Sequence, residues 1–353
     1  MNMSLTAMTS LLLISLMGQT ATAQSQSFSV GPVTAGPGEV ASGFIEVPPG
    51  VDEGTRIPIS VLHGRRPGPV LALIAGNHGY EYAPILALQR LRGRLDPEAL
   101  AGTIIMVHVA NMPSFLRRTI YYSPIDGKNL NRVYPGKKDG TVSERIAYAI
   151  TQHVIERCDY LIDLHCGDGN ESLRPYTYWP KTGNAQLDER AKQMALAFGL
   201  DHIVIDTDRP TDPRHSIYCS NTATTRGKPA ITTESGGLGQ TDEPSIARIE
   251  RGVMSVLRWL HMLDGEPRFV EHPIWIDRSE VIRSRVTGLF YPLVKKGIAV
   301  TKGTVLGYIT DFFGRRIADV RAPLSGIVLY ILGTPPVSPN EPLAFVGHIL
   351  SEK

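Results

Sequence analysis

The chain has 353 residues, 42% hydrophobic and 20% charged, with a formal net charge of +2. That is a globular composition, long enough for about two domains. Its near-neutral charge, with no Lys/Arg tract interleaved with aromatics, points away from nucleic acid and from anionic membrane surfaces as partners.

Residues 1–23 carry no charged side chain and contain the short apolar core Leu11-Leu12-Leu13-Ile14-Ser15-Leu16-Met17. Ala21 and Ala23 give small residues where a signal peptidase reads them, so cleavage before Gln24 is expected. The mature protein is then exported, periplasmic or secreted, and free of the membrane, because no later stretch is long enough to span one. The competing reading of residues 1–23 is a membrane anchor, for which the apolar core is short. Three cysteines, Cys158, Cys166 and Cys219, fit no zinc-ribbon or redox spacing. An exported chain allows one pair among them.

Phe28 to Leu62 reads as short extended segments with Gly/Pro turns. Val70-Leu71-Ala72-Leu73-Ile74-Ala75 is an apolar run broken abruptly at Gly76, the pattern of a buried strand entering a turn. Pro84 to Leu95 has apolar residues at helical spacing, and Thr103 to Ala110 is a second strand. Ser114 to Gly136 is long and irregular, rich in Tyr, Pro, Asn and Gly, and a loop of that length is usually functional. A helix is expected over Val142 to Ile155, a strand over Asp159 to Leu164 and a helix over Ala185 to Phe198. A short strand over His202 to Ile205, a strand over Pro229 to Thr233 and a long helix over Glu243 to Leu263 follow.

This alternation predicts an α/β domain over residues 24–267, with a mixed, mostly parallel sheet and helices on both faces. After about Pro267 the segments shorten, glycines recur and no helix is expected, so residues 268–353 read as a small all-β domain.

The chemistry is expected just past the carboxyl ends of the strands. His78 and Glu81 lie on the turn after the first strand, His165 ends the Tyr160-Leu161-Ile162-Asp163-Leu164 run, and Glu234 ends another. Two imidazoles and a carboxylate, with a fourth position open, suit a catalytic zinc. His78, Glu81 and His165 are therefore the candidate ligands of Zn2+, and Glu234 the candidate general base and acid. Each residue alone has a bland alternative, a turn or a helix cap; their concurrence at strand ends carries the argument. His108 and His153 are read as structural.

In the long loop, Asn131 and Arg132 set an amide beside a guanidinium, suited to a substrate carboxylate. Arg117 and Arg118 are further candidates, for polarising the scissile carbonyl, against a plain reading as solvated basic residues.

Four motifs together resemble the succinylglutamate desuccinylase/aspartoacylase family, a branch of the zinc carboxypeptidase-like fold. They are Gly76-Asn77-His78-Gly79-Tyr80-Glu81, Asn129-Leu130-Asn131-Arg132-Val133-Tyr134-Pro135-Gly136, Asp163-Leu164-His165 and Thr233-Glu234-Ser235-Gly236-Gly237. They occur in the family's order, and Ala322-Pro323-Leu324-Ser325-Gly326 is similar to the β region often appended there. The resemblance implies zinc on His78, Glu81 and His165, catalysis by Glu234, and carboxylate binding by Asn131 and Arg132. It implies hydrolysis of the amide of an N-acyl amino acid, with esters as neighbouring substrates. The chain departs from the pattern at Tyr80, where an acidic residue is common, and at Pro124, where aspartoacylase-like members carry an Arg. An export signal also separates it from the cytosolic arginine-catabolism members. Two other readings stay open: an exported metallocarboxypeptidase acting on peptides, and a non-catalytic metal-binding interaction protein, which would have no need of Glu234.

Overall fold

The structure, a computed structural model, describes residues 26–351. The expected signal segment, residues 1–23, lies outside the described residues. Among those described, no helix is long and apolar enough to cross a membrane, and the three cysteines are buried and unpaired.

One mixed sheet organises the chain. Its centre is the strand Arg66–Ala75, parallel to Ala101–Val107 on one side and to Tyr160–His165 on the other. Tyr160–His165 is in turn parallel to Ala230–Glu234. Leu71, Ala72, Leu73, Ile74 and Ala75 are fully buried, as a strand covered on both faces requires. The helices Tyr82–Arg94, Ala185–Phe198 and Glu243–Trp259 pack together on one face. Val142–His153 and the short Cys219–Thr224 cover the other. The helix Val142–His153 starts with a capping box between Thr141 and Glu144, a pattern that satisfies two otherwise orphaned amides.

The sheet does not end at residue 267. Beyond Ala230–Glu234 it adds Tyr176–Pro180 (antiparallel), His202–Asp206 and then Ile274–Arg283. The last of these pairs with His202–Asp206 through Ile274–Ile276, and over most of its length with Pro342–Ile349. The strand-rich C-terminal region thus shares the main sheet, and a second, four-stranded sheet packs with it. Tyr176 and Val204 bury against Ile276, Tyr330 and Phe345, so side chains from both sides of residue 267 form one apolar cluster.

Candidate active site

The register of the parallel strands gathers the four rim residues. Ala75 lies opposite Leu164, and His165 opposite Glu234. After Ala75 the chain turns through Gly76, whose φ of 72° lies in the left-handed region that favours glycine. Gly79 passes so close to the short helix Met112–Arg117 that a Cβ there would sit 2.4 Å from the Ser114 carbonyl oxygen. Glu81 stands at the N-cap of the helix Tyr82–Arg94 but makes no capping hydrogen bond. Its carboxylate turns to the histidines instead.

His78 Nδ1 is 2.6 Å from Glu81 Oε1, and His165 Nδ1 lies 2.9 Å from Glu81 Oε2. Ligating atoms of the three side chains lie within 4.8 Å of one another, all three residues buried, so the group could hold a metal ion. Both imidazoles are held from behind at the other nitrogen. His78 Nε2 is 3.1 Å from Asn129 Oδ1, and His165 Nε2 is 3.0 Å from Asp163 Oδ1. Those oxygens only accept, so they favour a proton at Nε2 on each ring; with a cation between the side chains both Nδ1 atoms would be free to ligate it. Asp163 is fully buried and also receives Asn77 Nδ2 at 2.8 Å.

The electrostatics of the group suit a cation. Against burial, the His165 and His78 charges hold Glu81 down to about 2. Against burial again, Asp163 and Glu81 raise His165 well above its ordinary value. Glu234 Oε2 is buried without a hydrogen-bond partner among the described residues, a costly arrangement that a dication or a substrate proton would relieve; Glu81 Oε2 meets only the His165 ring. Burial drives the Glu234 carboxyl well above its usual range, with Glu81 and Glu171 adding to the shift and His165 opposing it. A protonatable carboxyl beside two nitrogen ligands is suited to moving protons. Gly236, at φ 113°, lets the chain turn away after Glu234.

His78, Glu81 and Glu234 line a cavity of about 600 Å³, which Arg132 also faces. The Arg132 guanidinium lies 4.7 Å from the Tyr218 ring centroid, and Arg209 lies 3.9 Å from the same ring. Asn131, by contrast, is buried behind His165. Its Nδ2 sits 3.1 Å from His165 Nε2 and 3.4 Å from Asp163 Oδ2, and its Oδ1 accepts the Cys219 amide at 2.8 Å. The expected pairing of Asn131 with Arg132 on one carboxylate is therefore not what the geometry offers. Arg117 and Arg118 do not line the cavity either. Arg117 is mostly exposed and 3.7 Å from Glu53, while Arg118 ends its short helix at φ 51° and approaches the Tyr82 phenol. The oxyanion role expected of them has no support in their positions.

Several cavity residues escape the sequence pattern. Tyr121 donates from its hydroxyl to Glu171 Oε1 at 2.8 Å and holds a left-handed φ of 58°, fixed by its amide on Asp168 at 3.0 Å. Burial raises Glu171 to about 7, with Asp168 adding to the rise and the Tyr121 hydrogen bond opposing it. Tyr176 and Tyr178 come from the antiparallel strand, and Tyr330 and Arg283 from the C-terminal region. Tyr80 turns out of the cavity. Its ring packs on Gly169 and Gly239, where an added Cβ would lie 2.8 and 2.9 Å from it.

A cluster of two histidines and a glutamate at parallel strand ends, with a buried carboxylate beside it, defines a metallohydrolase-like site on an α/β sheet. Residues 67–260 match the model of the succinylglutamate desuccinylase/aspartoacylase catalytic domain. The chain is 32% identical over 324 residues to the N-alpha-acetyl-L-2,4-diaminobutyric acid deacetylase of Halomonas elongata, covering 88% of this chain and 92% of that protein. Among solved structures, it is similar to the product-bound ectoine utilization protein EutE (DoeB) of Ruegeria pomeroyi, at 26% identity and a TM-score of 0.80, covering 94% of this chain and 100% of that one. An aspartoacylase family protein of Mesorhizobium loti matches at 30% identity and a TM-score of 0.75, covering 90% and 96%. The chain belongs to the succinylglutamate desuccinylase/aspartoacylase family. It is a hydrolase of the deacylase type.

Proposed function

We propose that the protein is a zinc-dependent deacylase that cleaves the amide of an N-acyl amino acid carrying a second, free amine. The observation that carries the reading is the convergence of two Nδ1 atoms and the Glu81 carboxylate beside the unpartnered Glu234 Oε2, in a cavity with Arg132 in its wall. Zinc on His78, Glu81 and His165 would supply Lewis acidity towards an acyl oxygen and a water.

The chain's own residues do the rest. Arg132 takes the substrate carboxylate on its planar fork, held flat by Tyr218, and so fixes the acyl group over the rim. Glu234 accepts a proton from the water that adds to the acyl carbon. As the C–N bond breaks it returns that proton to the amine nitrogen, releasing a carboxylate and a free amine. Asp163 and Asn129 hold the two rings in one tautomer throughout.

The second amine is the finer part of the proposal. It rests on Glu171, a carboxylate in the cavity wall that no Lys or Arg pairs with among the described residues, and on the substrate named for the Halomonas elongata relative. A cavity of about 600 Å³ suits such a small molecule.

The test is turnover of a panel of acetylated amino acids and short peptides by wild type and Glu234→Gln. Glu234→Gln should keep its zinc and lose roughly 10³-fold or more in kcat. Wild-type protein purified without zinc and regaining no activity with it would overturn the mechanism. Preference for peptides would favour the carboxypeptidase reading.

A further inference from the structure

A second cleft, of about 490 Å³, shares no lining residue with the catalytic cavity, and Arg174, Arg248, Arg251 and Arg268 line it. They come from separated parts of the chain. Arg174 precedes the strand Tyr176–Pro180, Arg248 and Arg251 lie one turn apart on the helix Glu243–Trp259, and Arg268 follows that helix, its backbone amide fixed on Ser255 Oγ at 2.8 Å.

A single carboxylate, Asp201, lines the same cleft, and Arg174 takes it at 2.8 Å. Among the described residues Arg251 and Arg268 have no side-chain partner, and Arg248 reaches only Ser235 Oγ, at 3.1 Å. Burial and the neighbouring Arg251 push the Arg248 guanidinium below its ordinary value. Like charges brought together around a concavity repel, and the half-buried Arg248 also loses hydration, both of which an anion would relieve, while Arg251 and Arg268 are exposed and free to turn to it. Guanidinium forks suit phosphate and carboxylate oxygens. The floor is closed by Phe198, over which Gly252 passes so closely that a Cβ would lie 2.7 Å from the ring. A concave, basic pocket of this size fits a compact anion rather than an extended polymer.

Arg248 also connects the cleft to the rim. Ser235 follows Glu234 directly, and its amide donates to the His165 carbonyl oxygen at 3.1 Å. An anion that draws Arg248 towards the cleft changes the hydrogen bond on the residue next to the proposed base.

We propose that this cleft binds a compact multivalent anion, phosphate-bearing or tricarboxylate, and that Arg248 and Ser235 transmit its occupancy to Glu234. The binding half is independent of the reaction proposed above; the transmission half rests on it.

The experiment uses the full, zinc-loaded chain and titration calorimetry with three probes: inorganic phosphate, pyrophosphate and tricarballylate. The tightest probe assigns the chemical class. Arg251→Ala/Arg268→Ala should weaken it at least tenfold, while Arg132→Ala and the exposed pair Arg56→Ala/Arg278→Ala leave it unchanged. No heat in wild type, or equal weakening by the Arg56/Arg278 control, overturns the site. At saturating substrate the bound anion should change kcat at least about twofold, an effect that Ser235→Ala abolishes while affinity is retained. Binding with kcat unmoved, or an effect that survives Ser235→Ala, overturns the transmission. Should acyl turnover be absent altogether, the calorimetric result still decides the binding site.

Discussion

Two histidines stand at the carboxyl ends of parallel strands in the same sheet, and they have opposite electrostatic fates. His165 ends Tyr160–His165 between Asp163 and Glu81, and is raised well above its ordinary value. His108 follows Ala101–Val107, two strands away, with Ser60 Oγ at 2.8 Å from its Nε2, and burial with the Arg92 charge nearby pushes it down to about 4. Position on the rim is shared; carboxylates are not. The comparison teaches that a strand end becomes chemical when its neighbours in register supply acids. That is true of Glu81, Asp163 and Glu234 on one side of the central strand and not of the Thr55–His63 side.

The contrast breaks most sharply at the metal. His165→Ala should leave purified protein without stoichiometric zinc, whereas His108→Ala leaves zinc content unchanged, both read by elemental analysis. Asp163→Asn removes the negative charge behind the His165 ring and should weaken zinc roughly 10–100-fold, measured by competition with a chelator. Unchanged affinity in Asp163→Asn would remove Asp163 from the site.

Next in size is the wall of the cavity. Losing charged hydrogen bonds worth about 1.5–3 kcal/mol, Arg132→Ala should raise KM roughly 10- to 100-fold for substrates with a free carboxylate, with kcat less affected. Esters lacking that group should be indifferent; equal damage to both would mean Arg132 acts on the fold. Glu171→Gln should raise KM about tenfold for a substrate with a side-chain amine and leave acetylated neutral amino acids alone. Because Glu171 is raised to about 7, its charge is present above that pH and lost below it. Wild-type KM for the amine substrate should therefore climb as pH falls through 7, a step absent in Glu171→Gln. A step of the same size for neutral substrates would assign it to another group.

These walls are the part hardest to read from sequence. The rim residues are legible because an apolar run ending in Gly, His or Glu marks a buried strand and its exit. Asp163 is half legible: it alternates with His165 onto the same face, which points to a shared task. Asn131 and Arg132 mislead because adjacency suggests a common target. The single turn of 3-10 helix at Leu130–Arg132 sends one side chain behind His165 and the other into the cavity. Arg117 and Arg118 end a short helix whose left-handed last residue carries them outward. Tyr330 and Arg283 reach the cavity only because Ile274–Arg283 joins the main sheet. Long-range strand pairing of that kind leaves no local signature.

The smallest effect concerns His108 and touches no activity. Its folded value lies near 4, below the ordinary 6.5, because burial and then Arg92 disfavour the charged ring. Between those two pH values the unfolded chain takes up a proton that the folded chain refuses. Stability is therefore lost as pH falls from about 6.5 towards 4. Each tenfold drop in proton affinity on folding is worth about 1.4 kcal/mol, so His108 costs the wild type on the order of 3 kcal/mol across that window. His108→Gln retains a polar partner for Ser60 and has no proton to gain. Between pH 7 and pH 4.5 the urea midpoint should fall further in wild type than in the variant. Equal falls would place the acid sensitivity among the rim carboxylates, and so on the other side of the central strand.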